Sequence, residues 1–588
     1  MKYRNDLKKR ILAGLLAGAA LCLTVPAAQA ATVVPNDQFP QGGNFVAGNG
    51  KIDNPVNGQM DIQQNTQNAV ITWDKGFNIG ANAIVNFTAA DAYKDNFNTL
   101  NYDKSGSLSQ IYGTINAQGG NIYIVNPAGV EIGNSAQINT GSLYVSNKYL
   151  DENQLSKFDG HNLPDLYDVT KNSDAVLMSL GNINASKVTF EGSRIVIDTE
   201  RIKDENGDNK LTADKITIRT NDASNVVIGY DAYNEENKTY AGANNTDAIA
   251  TVNGTQITKA DGYMWVEDIE QLQAINTNLS GNYALRNSID ATAAQDWNVV
   301  NGTAQGFASI GSVQNAFTGK FDGLDYNIFN LNINRADENN VGLFGVVGSG
   351  AVINNVTLVG GSITGQNYVG SLAGAVRDGA SISNITNSAK VNGNTSVGGI
   401  IGQSGNYSPS GKNEGASLEN LINTGTVTGN TNNIGGLVGN MQNGTLGGTS
   451  YNLGAVTAKG YNVGGLVGHA YNATIGNQGE DAVTVYNRLN VTGAYNVGGI
   501  VGNMEGSTVQ NAENSGNVTA TGFTTGDYEY HSAHYANNEI YKVEGVYLAN
   551  VGGIAGSASA TQGHESLISG ALNTGEVSSG TAEEFGYT

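Results

Sequence analysis

Sulfur and proline are nearly missing from this chain. Its one cysteine, Cys22, lies within the first thirty residues, and seven prolines are spread over 588 positions. A single cysteine excludes a disulfide framework, and its place near the N-terminus leaves the rest of the chain without thiol chemistry. Scarce proline, together with only 14% charged residues, excludes a disordered polyelectrolyte and a proline-rich spacer. Basic residues are in short supply too. The 30 Lys and Arg stand against 52 Asp and Glu, a formal charge of −22, which argues against nucleic acid or an anionic membrane as partner. No apolar run after residue 25 is long enough to span a bilayer, so no transmembrane helix is expected in the mature chain.

What is abundant is glycine, at 79 residues, with Asn, Thr and Ser around it. The glycines follow no Gly-X-Y period, which excludes collagen, and β-branched residues are too frequent for disorder. The chain is also too long for one compact domain. An all-β array with many tight turns remains.

Residues 1–30 have the form of a secretory leader. Lys2, Arg4, Lys8, Lys9 and Arg10 precede an apolar run from Ile11 to Val25, and Ala28-Gln29-Ala30 supplies small residues for cleavage between Ala30 and Ala31. Removing it would take the net charge to about −26. The run is too short for a membrane anchor, and Leu21 before Cys22 is not the small residue that lipidation needs.

The most informative stretch runs from Ser109 to Asn147. Short strands are expected at Gln110–Tyr112, Asn121–Val125, Val130–Ile132, Gln137–Asn139 and Leu143–Val145, each alternating apolar and polar residues. Gly-Gly, Asn-Pro, Gly-Asn and Thr-Gly steps between them recur too often to admit crossover helices. A chain coiling in short rungs fits this pattern. Pro127 fixes its own φ and keeps Asn126 extended, so the Asn-Pro pair ends a strand and opens a turn.

Gly113–Gly119 (GTINAQG), Asn126-Pro127-Ala128-Gly129-Val130, Gly133, Ala136-Gln137-Ile138-Asn139 and Gly141 together resemble the secretion domain of two-partner-secreted exoproteins, the filamentous haemagglutinin type. Ala69–Gly80 (AVITWDKGFNIG) and Val85-Asn86-Phe87 are similar to early rungs of that family, with Trp73, Phe77 and Phe87 as core or cap residues. Asn98–Asp103 (NTLNYD) departs from the family pattern. The resemblance implies a right-handed parallel β-helix over residues 31–230, closed by an N-terminal cap, because an uncapped first rung exposes a strand edge. It also implies export through the periplasm of a double-membraned bacterium by a dedicated outer-membrane transporter, with Asn126, Pro127, Gly129 and Val130 in the recognised region.

The charged segment Lys148–Asp174 is expected to be a helix-prone insertion, after which rungs resume at Gly181–Ala185, Lys187–Phe190, Ser193–Asp198 and Lys215–Thr220. Asp204–Asn209 lacks the ligand spacing of an EF-hand and is expected to be a solvated turn. The polar, Asn-rich residues 231–262 suggest a linker. Trp265–Ile275 has apolar residues at helical spacing and acids in its first turn, so a short helix is expected there.

With Asn278–Ile289, Phe307–Gly311 and Ala316–Leu331, that helix resembles the lead-in, spanning 263–340, to the GLUG-motif repeats of bacterial surface and secreted proteins. The repeats fill 341–588: VGLFG at 341, then VGSLAG, VGGIIG, IGGLVG, VGGLVG, VGGIVG and VGGIAG at 369, 397, 434, 463, 497 and 551. Their spacing implies a unit of about 28 residues with insertions. Asn387, Asn423, Asn452, Asn487, Asn514 and Asn573, each four residues before a valine, keep the same register. These asparagines are expected to stack in a hydrogen-bonded ladder at a turn. The repeat glycines Gly398, Gly399, Gly435, Gly436, Gly464, Gly465, Gly498, Gly499, Gly552 and Gly553 are expected to allow positive φ and close backbone approach. Each unit buries its face against its neighbours, giving an elongated β-solenoid. About fifteen residues follow Asn573, where another glycine motif is due, so a truncated array is expected.

Candidate chemical sites are few. The glycine motifs lack a following Lys-Ser/Thr and repeat seven times, which no phosphate cradle does. Asp322 and Asp325 form the best carboxylate pair for a solenoid glycosidase or lyase, yet Asp-Gly is an ordinary turn. His531 and His534, near Asp527 and Glu529 in the long excursion Phe523–Asn550, could hold zinc. The tyrosines at 528, 530, 535, 541 and 547 suit a recognition loop for a receptor or glycan better. His161, His469 and His564 are isolated. No cofactor is called for. The sequence therefore points to a non-enzymatic, secreted or surface-displayed adhesin. The alternatives are a polysaccharide-degrading solenoid enzyme or protease passenger, and a structural spacer.

Overall fold

The computed structural model describes residues 34–160, 175–204, 215–240, 246–405, 415–477, 485–531 and 540–579. The leader with Ala30 and Ala31, His161, His534, Tyr535 and all but the first residue of the Asp204–Asn209 turn lie outside them. From Val34 onward the chain forms one unit, a β-solenoid of short parallel strands.

Its first strands are antiparallel. Gly43–Ala47 pairs with Asn68–Trp73, and Gly50–Ile52 with Gln59–Gln64. Phe39, Phe45 and Ile52 pack against the core from this end, so the first rung is covered as a solenoid requires. All later rungs stack in parallel. One ladder runs Asn68–Trp73, Phe97–Asp103, Thr114–Val125, Gln137–Ser146, Val188–Glu191, Ile216–Arg219 and Ala248–Val252. Inward residues at one level stack directly: Ile122, Leu143, Val188 and Ile216 are register partners, and all are buried. Alternation places about one residue in two in this core, which is how even the short strands bury enough apolar surface to hold.

A second ladder runs Ser109–Ile111, Val130–Ile132, Val176–Ser179, Arg194–Asp198, Val226–Tyr230, Tyr263–Val266, Asn282–Leu285, Lys320–Asp322 and Val352–Val359. It crosses residues 231–262 without a break. The linker expected there is corrected by the structure: Tyr240, Ile249, Ala250 and Val252 are core residues, and Ala248–Val252 folds back on Thr255–Thr258 as a hairpin that ends the first ladder. Among the described residues, polar ones such as Asp247, Asn253, Thr255 and Gln256 face outward.

The helix expected over Trp265–Ile275 starts later. Trp265 belongs to strand Tyr263–Val266, and its indole lies on Gly229, where a Cβ would sit 2.0 Å from the ring. Asp268 then caps the helix Ile269–Ala274 by accepting from the Gln271 amide at 2.8 Å. In the charged insertion, the described residues hold one short helix, Glu152–Ser156. Asp151 and Gln154 close it with a reciprocal capping box. Leu150, Leu155 and Phe158 from this insertion cover Val70, Leu100, Tyr102 and Val125 on the outer face of the first sheet.

In the repeat array a rung holds four strands, as in Phe344–Val347, Val352–Val359, Ser362–Gly365 and Asn367–Val369. The next rung repeats them 28 or 29 residues on: Phe344 pairs with Ala373, Ile353 with Ile382, Ile363 with Val391 and Val369 with Val397. Register is kept across the longer intervals, Val397 with Ile434 and Val463 with Val497. The excursion at 521–549 leaves between two ladders as an antiparallel hairpin, Phe523–His531 with Ile540–Leu548.

Candidate functional site

The Asn126–Val130 turn sits between the two ladders of the N-terminal rungs. Asn126 ends the long strand, and its amide donates to the Ser146 carbonyl of the next rung at 3.0 Å. Its side chain then organises the corner. Nδ2 donates to the Ser107 carbonyl and to Ser109 Oγ, both at 2.8 Å, while Oδ1 accepts from the Ala128 amide at 2.8 Å. The Gly129 amide closes the turn onto the Asn126 carbonyl at 2.9 Å. Gly129 has φ 106°, and a Cβ there would meet the Val176 carbonyl oxygen at 2.6 Å, so only glycine fits. Val130 is fully buried and pairs with Ser109 and Leu177.

Asp103 extends this network. Its carboxylate accepts from the Phe77 amide at 2.7 Å, Ser109 Oγ at 2.6 Å and the Ser105 amide at 2.8 Å. Asp103, Ser109 and Asn126 are all buried, so a chain of hydrogen bonds, charge-assisted at Asp103, ties these corners together. The departure at Asn98–Asp103 thus supplies structure. Asn98 joins an outer Asn68–Asn98–Asn121 ladder, Asn101 accepts from Trp73 Nε1 at 3.1 Å, and the Tyr102 hydroxyl accepts from the Leu150 amide at 3.1 Å. Burial raises the Tyr102 hydroxyl above its ordinary pKa, so it stays protonated.

Of the four residues expected in the recognised region, Asn126, Gly129 and Val130 are buried, and Pro127 is half-buried at the surface with Ala128. Beside them opens a cleft of about 580 Å³, lined in part by Pro127, Ala128, Tyr149, Leu150, Asp151 and Glu152. The insertion thus borders the turn, a juxtaposition that the sequence, with about twenty residues between them, did not reveal.

The repeat glycines lie at the corners where the fourth strand of one rung leads into the first strand of the next. None of the ten has positive φ. They are needed for close approach. A Cβ on Gly399 would lie 2.2 Å from the Gly436 carbonyl oxygen and 2.5 Å from Asn423 Cγ; on Gly436 it would meet Gly465 and Asn452 in the same way. The asparagines stack directly behind these glycines. Nδ2 of Asn387, Asn423, Asn452, Asn487 and Asn514 each donates to Oδ1 of the next, ending on Asn573, at 2.7–3.0 Å. Each amide also closes its own turn two residues on, as Asn423 does with Gly425. The two markers therefore share one cause: the glycine leaves room for the asparagine of the next rung.

The remaining candidates are dispersed. Asp322 is buried, accepts from the Leu324 amide and Asn355 Nδ2, and burial raises its pKa. Asp325 is exposed and pairs with Arg194 at 3.1 Å. The two carboxylates serve a turn and a surface ion pair. His469 bridges Asn440 and Glu505 in neighbouring rungs. His531 lies in the hairpin strand. Among the described residues no group of three or more His, Cys, Asp or Glu is placed to hold a metal, and no helix is long and apolar enough to cross a membrane.

Fold and corner geometry define a parallel β-solenoid with asparagine-filled turns. No family model matches the chain. Halomucin of Haloquadratum walsbyi is 36% identical over 162 residues, which is 26% of this chain and 2% of that protein. The heme/hemopexin-binding protein of Haemophilus influenzae is 34% identical over 121 residues, covering 21% of this chain and 13% of that one. The chain thus spans only a small part of either relative. Among solved structures, the HMW1 secretion domain of Haemophilus influenzae aligns over 82% of this chain and 94% of its own, at 13% identity and a TM-score of 0.22.

Proposed function

We propose that this chain is a non-enzymatic bacterial exoprotein, secreted or displayed at the cell surface by two-partner export. Residues 31–230 engage an outer-membrane transporter, and the glycine-motif array carries adhesion to a receptor or glycan. The observation that carries the reading is the ordered set Gly113–Gly119, Asn126–Val130 and Gly133–Gly141, whose resemblance to the secretion domain covers successive rungs around one locked turn. Local identity to the heme/hemopexin-binding protein supports it. Folding on the far side of the outer membrane follows naturally for a cysteine-free mature chain, because every rung added to the ladder opposes sliding back.

The test is export in a double-membraned host that supplies a two-partner transporter. Intact protein is expected in the medium or on the cell surface. Deletion of 31–230 abolishes this, and Asn126→Ala, which unpins the corner, lowers it at least about tenfold. Equal export of the deletion variant sinks the reading. Adhesion is scored separately, by comparing cell attachment of the exported chain with and without residues 341–579.

A further inference from the structure

A second cleft lies on the outer face of the first sheet, and the reading above does not use it. Four neighbouring strands form its floor: Thr114–Val125, Gln137–Ser146, Val188–Glu191 and Ile216–Arg219. Their parallel register sets Tyr123 beside Tyr144, Tyr144 beside Thr189, Ser146 beside Glu191, and Glu191 beside Arg219. Every second residue of each strand points outward, so side chains far apart in sequence converge on a rigid platform. The Tyr123 and Tyr144 rings stand 5.4 Å apart as one wall. Tyr123 donates to the Gly160 carbonyl at 2.5 Å, which fixes the covering insertion at the rim. The enclosed space is about 240 Å³, with Ser142, Lys187, Thr189 and Arg219 also lining it. That is smaller than the roughly 300 Å³ at which pockets for drug-sized ligands begin, and it suits a single ring.

Its charge runs against the rest of the molecule. Glu191 is the one acid in the lining, and it is already satisfied. Lys148 pairs with it, Tyr144 donates to it at 2.8 Å, and Arg219 lies at 3.4 Å. Glu191 and Lys148 are 3% and 4% exposed, so their charges are committed to each other. Among the described residues Arg219, half-exposed, makes this one long ion-pair contact and Lys187 makes no ion pair. Two cations are thus left facing solvent across a polar cleft, in a chain whose net charge is −22. Burial and the neighbouring Glu191 hold the Tyr144 hydroxyl well above its ordinary pKa, so it remains a donor.

We infer that this cleft binds one carboxylate-bearing sugar unit, a uronate. The carboxylate meets Arg219 and Lys187, a hydroxyl edge meets Thr189 and Ser142, and the ring lies against Tyr123 and Tyr144. A planar guanidinium suits a carboxylate, and a tyrosine wall suits the apolar face of a pyranose.

Titration of the purified full-length chain with galacturonate, galactose and acetate, followed by calorimetry or by NMR, tests the assignment. Galacturonate is expected to bind saturably, with galactose and acetate each at least about tenfold weaker. Lys187→Gln and Arg219→Gln are each expected to weaken galacturonate by about tenfold, with unchanged thermal unfolding because neither side chain is buried. Added salt lowers the affinity further. Absence of saturable galacturonate binding overturns the proposal. So does acetate binding as tightly, which makes the cleft a plain anion site, or galactose binding as tightly, which removes the role of Arg219 and Lys187. No transporter takes part in the measurement, so its outcome is independent of the export reading.

Discussion

Asparagine recurs in several kinds of place among the described residues, three of which show why the fold uses it. Buried at the corners it acts as a two-sided connector, donating and accepting along the Asn387-to-Asn573 column while closing its own turn. On the outer face it continues the column Asp61, Asn86, Asn116, Asn139 and Asn184. Before the glycine motifs it adopts the left-handed conformation, at Asn340, Asn433, Asn462 and Asn496, with φ between 49° and 62°. The last three also bond to one another and on to Asn550. In two rungs that place is held by Tyr368 and Ser396, at φ 57° and 54°, residues that tolerate it less well. Tyr368→Asn with Ser396→Asn is therefore expected to raise stability by about 1 kcal/mol, read as a higher midpoint of denaturant unfolding, and to join Asn340 to the existing column. A lower midpoint contradicts the account.

At the scale of one element, the glycine corner explains why the motif recurs and what it tolerates. Gly436 has ordinary φ, but a methyl group there would sit 2.1 Å from the Gly465 carbonyl oxygen and 2.3 Å from Asn452 Cγ. Gly379 has φ 77° with nothing within 4 Å of the added carbon. Gly436→Ala should cost at least about 3 kcal/mol, because two backbones must separate. Gly379→Ala should cost only about 1 kcal/mol, for backbone strain alone. Comparing their unfolding midpoints decides whether close approach or conformational freedom governs the corner. This is also where the reading of the sequence fell short. Motif spacing locates the corners, yet the positive φ expected of the glycines resides, in six rungs, in the residue that precedes the motif: Asn340, Tyr368, Ser396, Asn433, Asn462 and Asn496. Composition reports which residues are small. It does not report which atoms of the next rung press on them.

Across the unit from Val34 onward, one buried charge joins segments that are remote in sequence. Asp198 is fully buried and pairs with Arg286, which also reaches Asp231 at 3.1 Å and Glu267 at 2.6 Å and lies over the Trp265 ring. Burial raises the Asp198 carboxyl to about 6, with Arg286 opposing part of that effect. The folded state therefore holds this proton up to about pH 6, whereas the unfolded chain releases it near its ordinary value of 3.8. The stability that Asp198 contributes is present below about pH 4 and falls as the pH rises to about 6. In Asp198→Asn that fall should vanish, leaving the variant's stability relative to wild type higher at pH 7 than at pH 4, by on the order of 2 kcal/mol. Denaturant midpoints at the two pH values check this, and a constant difference refutes it.

The sequence by itself determined the class of fold and its period. Strand alternation, frequent turns and a recurring Asn-and-Gly pair leave a stacked parallel array as the arrangement that buries one face of so many short strands. It also located the Asn126–Gly129 turn, because proline and glycine restrict the backbone locally. Tertiary structure alone decided that Ile249, Ala250 and Val252 belong to the core, that the Trp265 indole packs on Gly229, and that Tyr123, Tyr144, Lys187, Glu191 and Arg219 share one cleft. Those outcomes depend on cross-rung register, and register is set by the summed packing of all neighbouring rungs rather than by any local run of residues.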